Sequence, residues 1–132
     1  YLGVDISPEM VKIAKNKAQE ESNLNIEFCC GEVENLPIQN ETCSTVLMAM
    51  VLHHLVSPKR AIQEASRVLF PGGTLIIHDL CKHDDISYQE IYNHRWLGFN
   101  REDIASWLCK YGFHEYKFVE NLKNSFICYA HL

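Results

Sequence analysis

The feature that most constrains this chain is the run Val46-Leu47-Met48-Ala49-Met50-Val51-Leu52, apolar at every position and opened by Thr45. A bilayer-spanning helix needs roughly 20 such residues, so the run is far too short to cross a membrane and no membrane partner is expected. Apolar on both faces, it suits a buried parallel strand covered by helices on either side. The rest of the chain must then supply those helices and the neighbouring strands.

It does so in order. Leu2-Gly3-Val4-Asp5 is a short apolar run ending in an acid. Ser7 comes next as a helix N-cap and Pro8 as the first helical residue. Met10, Val11, Ala14 and Ala18 recur at helical spacing, opposite Lys12, Lys15, Lys17, Glu20 and Glu21, which predicts an amphipathic helix to about Glu21. A turn at residues 22–24 leads to Ile26, Phe28 and Cys30, alternating as a second strand that ends at Gly31. Ser57-Pro58 repeats the cap-plus-proline start, and Ala61, Ile62, Ala65, Val68 and Leu69 form the buried stripe of a second helix. Pro71-Gly72-Gly73 is expected to stop that helix and turn the chain. Residues 74–80 read as another buried strand, with Asp79 near its end. Residues 84–96 read as a helix rich in His and Tyr, and Asn100 caps one that runs to Tyr111, with Gly112 as terminator. Residues 115–119 and 126–131, separated by a polar loop at 120–125, read as an antiparallel pair. Strands alternating with helices and then a hairpin predict a Rossmann-like open α/β sheet in one domain spanning residues 1–132.

Composition excludes several functions. With 132 residues, 47% hydrophobic and 22% charged, the chain has the makeup of one globular domain and not of a disordered segment. Its net charge is −5 and its Lys and Arg are scattered, so direct nucleic-acid contact is not expected. The six cysteines show no C-x-x-C spacing and lie mostly in apolar segments, which reads as reduced, buried thiols and a cytoplasmic location. No metal site is expected either: no Cys pair has ligand spacing, and His53-His54 are neighbours rather than an i, i+4 pair. Cys29 and Cys30, adjacent on a strand, point to opposite faces and cannot easily share a ligand.

Ligands of open α/β sheets bind across the carboxyl ends of the strands. Here those ends carry Asp5, Gly31-Glu32, Met48-Ala49-Met50 with His53-His54 beyond, and Asp79. An acid placed like Asp5 can accept two hydrogen bonds from the vicinal hydroxyls of a ribose. The same acid also serves as an ordinary partner of a helix dipole.

Four segments in order, Val4-Asp5-Ile6-Ser7-Pro8-Glu9-Met10, Gly31-Glu32-Val33-Glu34-Asn35-Leu36-Pro37, Val51-Leu52-His53-His54-Leu55 and Arg67-Val68-Leu69-Phe70-Pro71-Gly72-Gly73-Thr74-Leu75, resemble the class I S-adenosylmethionine-dependent methyltransferases. His94-Arg95-Trp96-Leu97-Gly98-Phe99 is similar to the branch often fused behind ArsR-like regulators. The resemblance implies S-adenosylmethionine as cofactor and methyl transfer to a small-molecule acceptor. It implies that Asp5 holds the ribose hydroxyls and that Ile6 and Met10 pack near the adenine. Glu32 would reach the adenine amino group and the Val33 N–H the ring. Met48 and Ala49 would line the methionine portion by backbone and side-chain contact, and His54 would face the substrate. Such a reaction asks mainly for in-line positioning and exclusion of water. An alcohol or amine acceptor also needs a base, for which His53, His54, His83 and His94 are candidates by residue type. Residues 82–99 are expected to help form the acceptor pocket or its lid.

The chain departs from the family pattern in three ways. Glu32-Val33 stand where Asp-Ala is usual, and Ser44 where an Asp commonly begins the fourth strand. No two glycines have G-x-G spacing, so the family's central first strand and glycine-rich loop are expected to be missing, which reads as an N-terminal truncation. Losing a central strand strips partners from both neighbours at ~1–3 kcal/mol per buried unpaired group, against a typical stability of ~5–15 kcal/mol. Such open edges favour self-association. The alternative reading is a non-catalytic cofactor-sensing or remnant domain of a regulator fusion. A nicotinamide-dependent dehydrogenase is disfavoured by the lack of Tyr-x-x-x-Lys and by the terminal hairpin.

Overall fold

The structure, a computed structural model, describes residues 1–21, 25–119 and 123–132. The turn expected at 22–24 and the start of the loop expected at 120–125 lie outside the described residues. Two compact units are present, Tyr1–Pro37 and Ile38–Leu132.

In the first unit, β1 (Leu2–Asp5) pairs in parallel with β2 (Glu27–Cys30), Val4 opposite Cys29 and Asp5 opposite Cys30. Parallel strands need a crossover, and α1 (Pro8–Glu20) provides it. Ser7 starts the helix as expected: its Oγ accepts from the Met10 N–H at 3.3 Å, and Pro8 occupies the first turn, where no N–H is missed. Val11 is the buried residue of this helix.

The second unit contains β3 (Cys43–Ala49), a 3₁₀ turn (Leu52–His54), α2 (Pro58–Val68), β4 (Leu69–Leu80), α3 (Ser87–Tyr92), α4 (Arg101–Lys110), β5 (Glu115–Phe118) and β6 (Ser125–His131). Its sheet runs β3-β4-β6-β5, with β3 and β4 parallel and the remaining pairs antiparallel. Along β4 the alternate residues Leu75, Ile77 and Asp79 are buried. They share the core with Ala61, Ile62, Ala65 and Val68 of α2, Ile104 and Leu108 of α4, and Phe113 and Phe126. The last turn of α2 is well satisfied: its Arg67 and Val68 carbonyls accept from the Glu41 and Thr42 N–H groups. The Arg67 guanidinium donates to Glu64 and also to the Ile38 carbonyl and Asn40 Oδ1, tying the incoming chain to the helix. No helix among the described residues is long and apolar enough to cross a membrane.

Four expectations need correction. The apolar run is not a strand covered on both faces. It leaves the sheet after Ala49, its end Leu52 enters a 3₁₀ turn, and Leu47 is 65% exposed while Met48 is 3% exposed. β3 is the outer strand of its sheet, paired with β4, and its face bearing Thr45, Leu47 and Ala49 is exposed. Pro71-Gly72-Gly73 does not stop α2. The helix ends at Val68, and Leu69 turns at once into extended backbone as the first residue of β4. The three residues belong to an excursion within β4, where Phe70-Pro71-Gly72-Gly73 lies against the single Ser44 of β3 and Gly72 takes φ +81°. The helix expected over 84–96 shrinks to Ser87–Tyr92. The Asp85 carboxylate captures the Ser87 N–H and hydroxyl at its start, a local bond that competes with helix. Asn93, left-handed at φ 55°, closes it. Finally, the cysteines are all free, but only Cys128 is buried; Cys30 and Cys109 are exposed.

Candidate functional site

In the first unit, the parallel register puts Asp5 and the Gly31-Glu32 step at adjacent carboxyl ends, joined by a bond from the Gly31 N–H to the Asp5 carbonyl at 3.0 Å. Asp5 Oδ1 accepts from the Ser7 N–H at 2.8 Å, which fixes the carboxyl orientation and leaves Oδ2 without a partner among the described residues. Beside it Ile6 is 70% and Met10 51% exposed. Glu32 opens a tight turn, its carbonyl accepting from the Asn35 N–H, with its own side chain exposed and Val33 half-buried. A fixed carboxylate flanked by bare apolar side chains, with a second acid on the next strand end, fits a ligand that has a diol and an apolar ring. A hollow of about 560 Å³ lies elsewhere in this unit, between Lys15 and Ala18 of α1 and Ile26 to Phe28.

In the second unit Met48 is core and Ala49 is exposed, so Ala49 is the member of that pair with side-chain surface to offer. Met50 takes φ 55°, which no sequence pattern marks, and donates its N–H to the His78 carbonyl. That strained residue ends β3 and sends the chain into the 3₁₀ turn.

Asp79, fully buried at the end of β4, organises the polar cluster of this unit. Its Oδ2 accepts from the Leu52 N–H at 2.8 Å, and its Oδ1 accepts from the Leu80 N–H at 2.8 Å and from His53 Nδ1 at 2.7 Å. His53 is buried with it. The chain returns to this point some forty residues after His53. The Arg95 and Trp96 N–H groups both donate to the His53 carbonyl, at 3.0 and 3.1 Å, and the Trp96 indole donates to the Leu55 carbonyl at 2.9 Å. His94 is thereby set against the pair: ring centroids lie 4.2 Å from His53 and 4.9 Å from His54, with His53 and His54 4.1 Å apart. Burial, then the nearby His53, pull the pKa of His54 below the ordinary 6.5, with Asp79 and a bond to the Asn93 backbone opposing. Burial and the neighbouring imidazoles lower His94 in the same way. The structure thus brings together His53, His54 and His94.

His83 stands slightly apart, stacked on Tyr88, which in turn meets His94. It begins a closed loop whose ends are tied by bonds from the Lys82 N–H to the Phe99 carbonyl and from the Phe99 N–H to the Leu80 carbonyl. A cavity of about 220 Å³ sits at this loop, with Leu80, His83, Tyr88 and Lys123 in its wall.

A parallel βαβ start, a sheet with a terminal antiparallel hairpin and acids at strand ends together define a Rossmann-like α/β enzyme fold. Comparison with known proteins fixes the class. A family model described as a methyltransferase domain matches residues 1–77. The chain is 31% identical over 93 residues to the uncharacterized methyltransferase YcgJ of Bacillus subtilis, covering 70% of this chain and 37% of that protein. It is 29% identical over 107 residues to the demethylmenaquinone methyltransferase of Protochlamydia amoebophila, covering 80% and 44%. The crystal structure of YcgJ superposes with a TM-score of 0.83 at 16% identity, over 98% of this chain and 81% of that one. This chain belongs to the S-adenosylmethionine-dependent methyltransferase family. By sequence it spans less than half the length of these two curated relatives.

Proposed function

We propose that this chain, as one partial methyltransferase domain, binds S-adenosylmethionine and serves methyl transfer to a small-molecule acceptor. The observation that carries the reading is the pairing of Asp5 and Glu32 at neighbouring strand ends beside exposed Ile6 and Met10. In this reading the free Oδ2 of Asp5 takes the ribose hydroxyls, Ile6 and Met10 pack near the adenine, Glu32 takes its amino group and the Val33 N–H its ring.

The bound cofactor supplies a methyl group made electrophilic by its sulfonium. What remains for the chain is to orient, to keep water out and, for an alcohol or amine acceptor, to take a proton. His54, His83 and His94 are the groups by residue type from which such a base would come. The small-molecule class of acceptor is supported by the demethylmenaquinone methyltransferase relative and by the modest cavity at residues 80–88, within the loop that we assign to the acceptor.

Isothermal titration of the chain with S-adenosylmethionine and S-adenosylhomocysteine tests the reading. Micromolar binding is expected, weakened at least tenfold in Asp5→Ala, where the lost bond to the Ser7 N–H costs about 1 kcal/mol of stability. A folded chain that binds neither compound, or a variant that binds as tightly as wild type, overturns it.

A further inference from the structure

We propose that His53, His54 and His94 form a three-imidazole site for a divalent transition-metal ion of the zinc class, with a fourth coordination position open to solvent. The inference is independent of cofactor binding in the first unit. One ligand atom from each ring lies within 4.8 Å of the other two. A tetrahedral zinc site with Zn–N bonds of about 2.0–2.1 Å has its nitrogens roughly 3.3 Å apart. An adjustment of at most about 1.5 Å in each separation is therefore needed. His54, exposed and on the solvent side, has the freedom to make it.

The surroundings have the form of a built site. His53 Nδ1 is held by the Asp79 carboxylate at 2.7 Å, and with the ring proton on Nδ1 the Nε2 lone pair is left for a metal. A carboxylate behind a ligating imidazole is the usual outer-shell support of a metal. His54 lies beside both other rings, its centroid 4.1 Å from that of His53 and 4.9 Å from that of His94. His94 has a buried Nδ1 with no hydrogen-bond partner among the described residues, and a buried polar atom left so is costly. Its segment is fixed by the two N–H bonds to the His53 carbonyl and by the Trp96 indole bond. Three such imidazoles suit zinc or its neighbours and not magnesium or calcium, which take oxygen ligands. Three histidines with one open position are also the coordination of catalytic rather than closed structural sites.

The test uses the full chain freed of metal with a chelator. Zinc affinity is measured by competition with a chromophoric chelator, and Co²⁺ is added separately and tracked by visible absorption. The expected result is one equivalent of zinc, and a four-coordinate Co²⁺ spectrum without thiolate charge-transfer bands. His54→Ala and His94→Ala, both away from the innermost core, should each weaken zinc at least tenfold while retaining the wild-type circular dichroism. His114→Ala, at an exposed position outside the cluster, should leave binding unchanged. Absence of stoichiometric binding by the folded chain overturns the proposal. So do thiolate bands, which would place the metal on cysteines, or wild-type affinity in both cluster variants.

Discussion

The two units use the same kind of strand in opposite ways. In the first, β1 and β2 carry half-exposed side chains, and Val11 is its buried apolar residue among those described. In the second, β4 lies between β3 and β6 and buries every other residue against α2 and α4. The first unit displays its ligand-type residues, Asp5, Ile6, Met10 and Glu32, on a frame with little core of its own. The second has its polar cluster anchored to a fully buried carboxylate. Stability and recognition are thus unevenly divided, and the contrast can be broken at named residues.

The largest effect is expected at Phe113, a fully buried side chain of the second unit. Phe113→Ala should cost ~3–5 kcal/mol in urea denaturation. Gly98→Ala comes next. Gly98 has φ +71°, and a Cβ there would run into the Cys81 carbonyl, which is backbone and cannot step aside. A loss of ~2–4 kcal/mol is expected, read as a lowered melting temperature. Third is an alkaline effect at Cys128, whose thiol burial pushes up to about 11 from an ordinary 9.0. A raised acid pKa favours the neutral thiol in the folded state. The stability it contributes is full below pH 9 and is lost as pH rises from there towards 11. Cys128→Ala should remove a slope worth on the order of 2 kcal/mol from that limb of a pH–stability curve. The smallest effect falls in the first unit: Val11→Ala should cost ~1 kcal/mol and speed amide exchange in β1 and β2 with no change in β4 and β6.

Much of this was legible from spacing. Ser7-Pro8 and Ser57-Pro58 marked helix starts because a proline fits the first turn; the Ser7 side chain also caps its helix, whereas the Ser57 side chain makes no cap bond. The stripe from Ala61 to Val68 marked the buried face of α2, though Leu69, read with it, opens β4; the final hairpin paired as its alternation implied. Errors arose where non-local facts decide. An apolar run does not say whether a neighbour will cover it, so Leu47 read as core. Pro71-Gly72-Gly73 is as good an excursion within a strand as it is a stop. The cluster at Asp79 was hidden for the same reason. Residue 94 meets residues 53 and 54 only after a loop has been tied down by Trp96, and no local pattern announces that closure. The one available hint was Asp79 at the end of the strand paralleling β3, placed to receive the chain as it leaves β3.

The junction between α2 and β4 has a consequence for engineering. The helix passes into the strand with no linker, so in an unbroken strand the rotation of α2 would set which way Leu75, Ile77 and Asp79 point. A single residue inserted between Val68 and Leu69 would turn that alternation over, were it not for the excursion at residues 70–73. There the strand already runs out of step with its neighbour, and the space beyond Gly72 is empty. That stretch is a slip joint: added length can be taken up before Thr74, and the buried face beyond it stays in register.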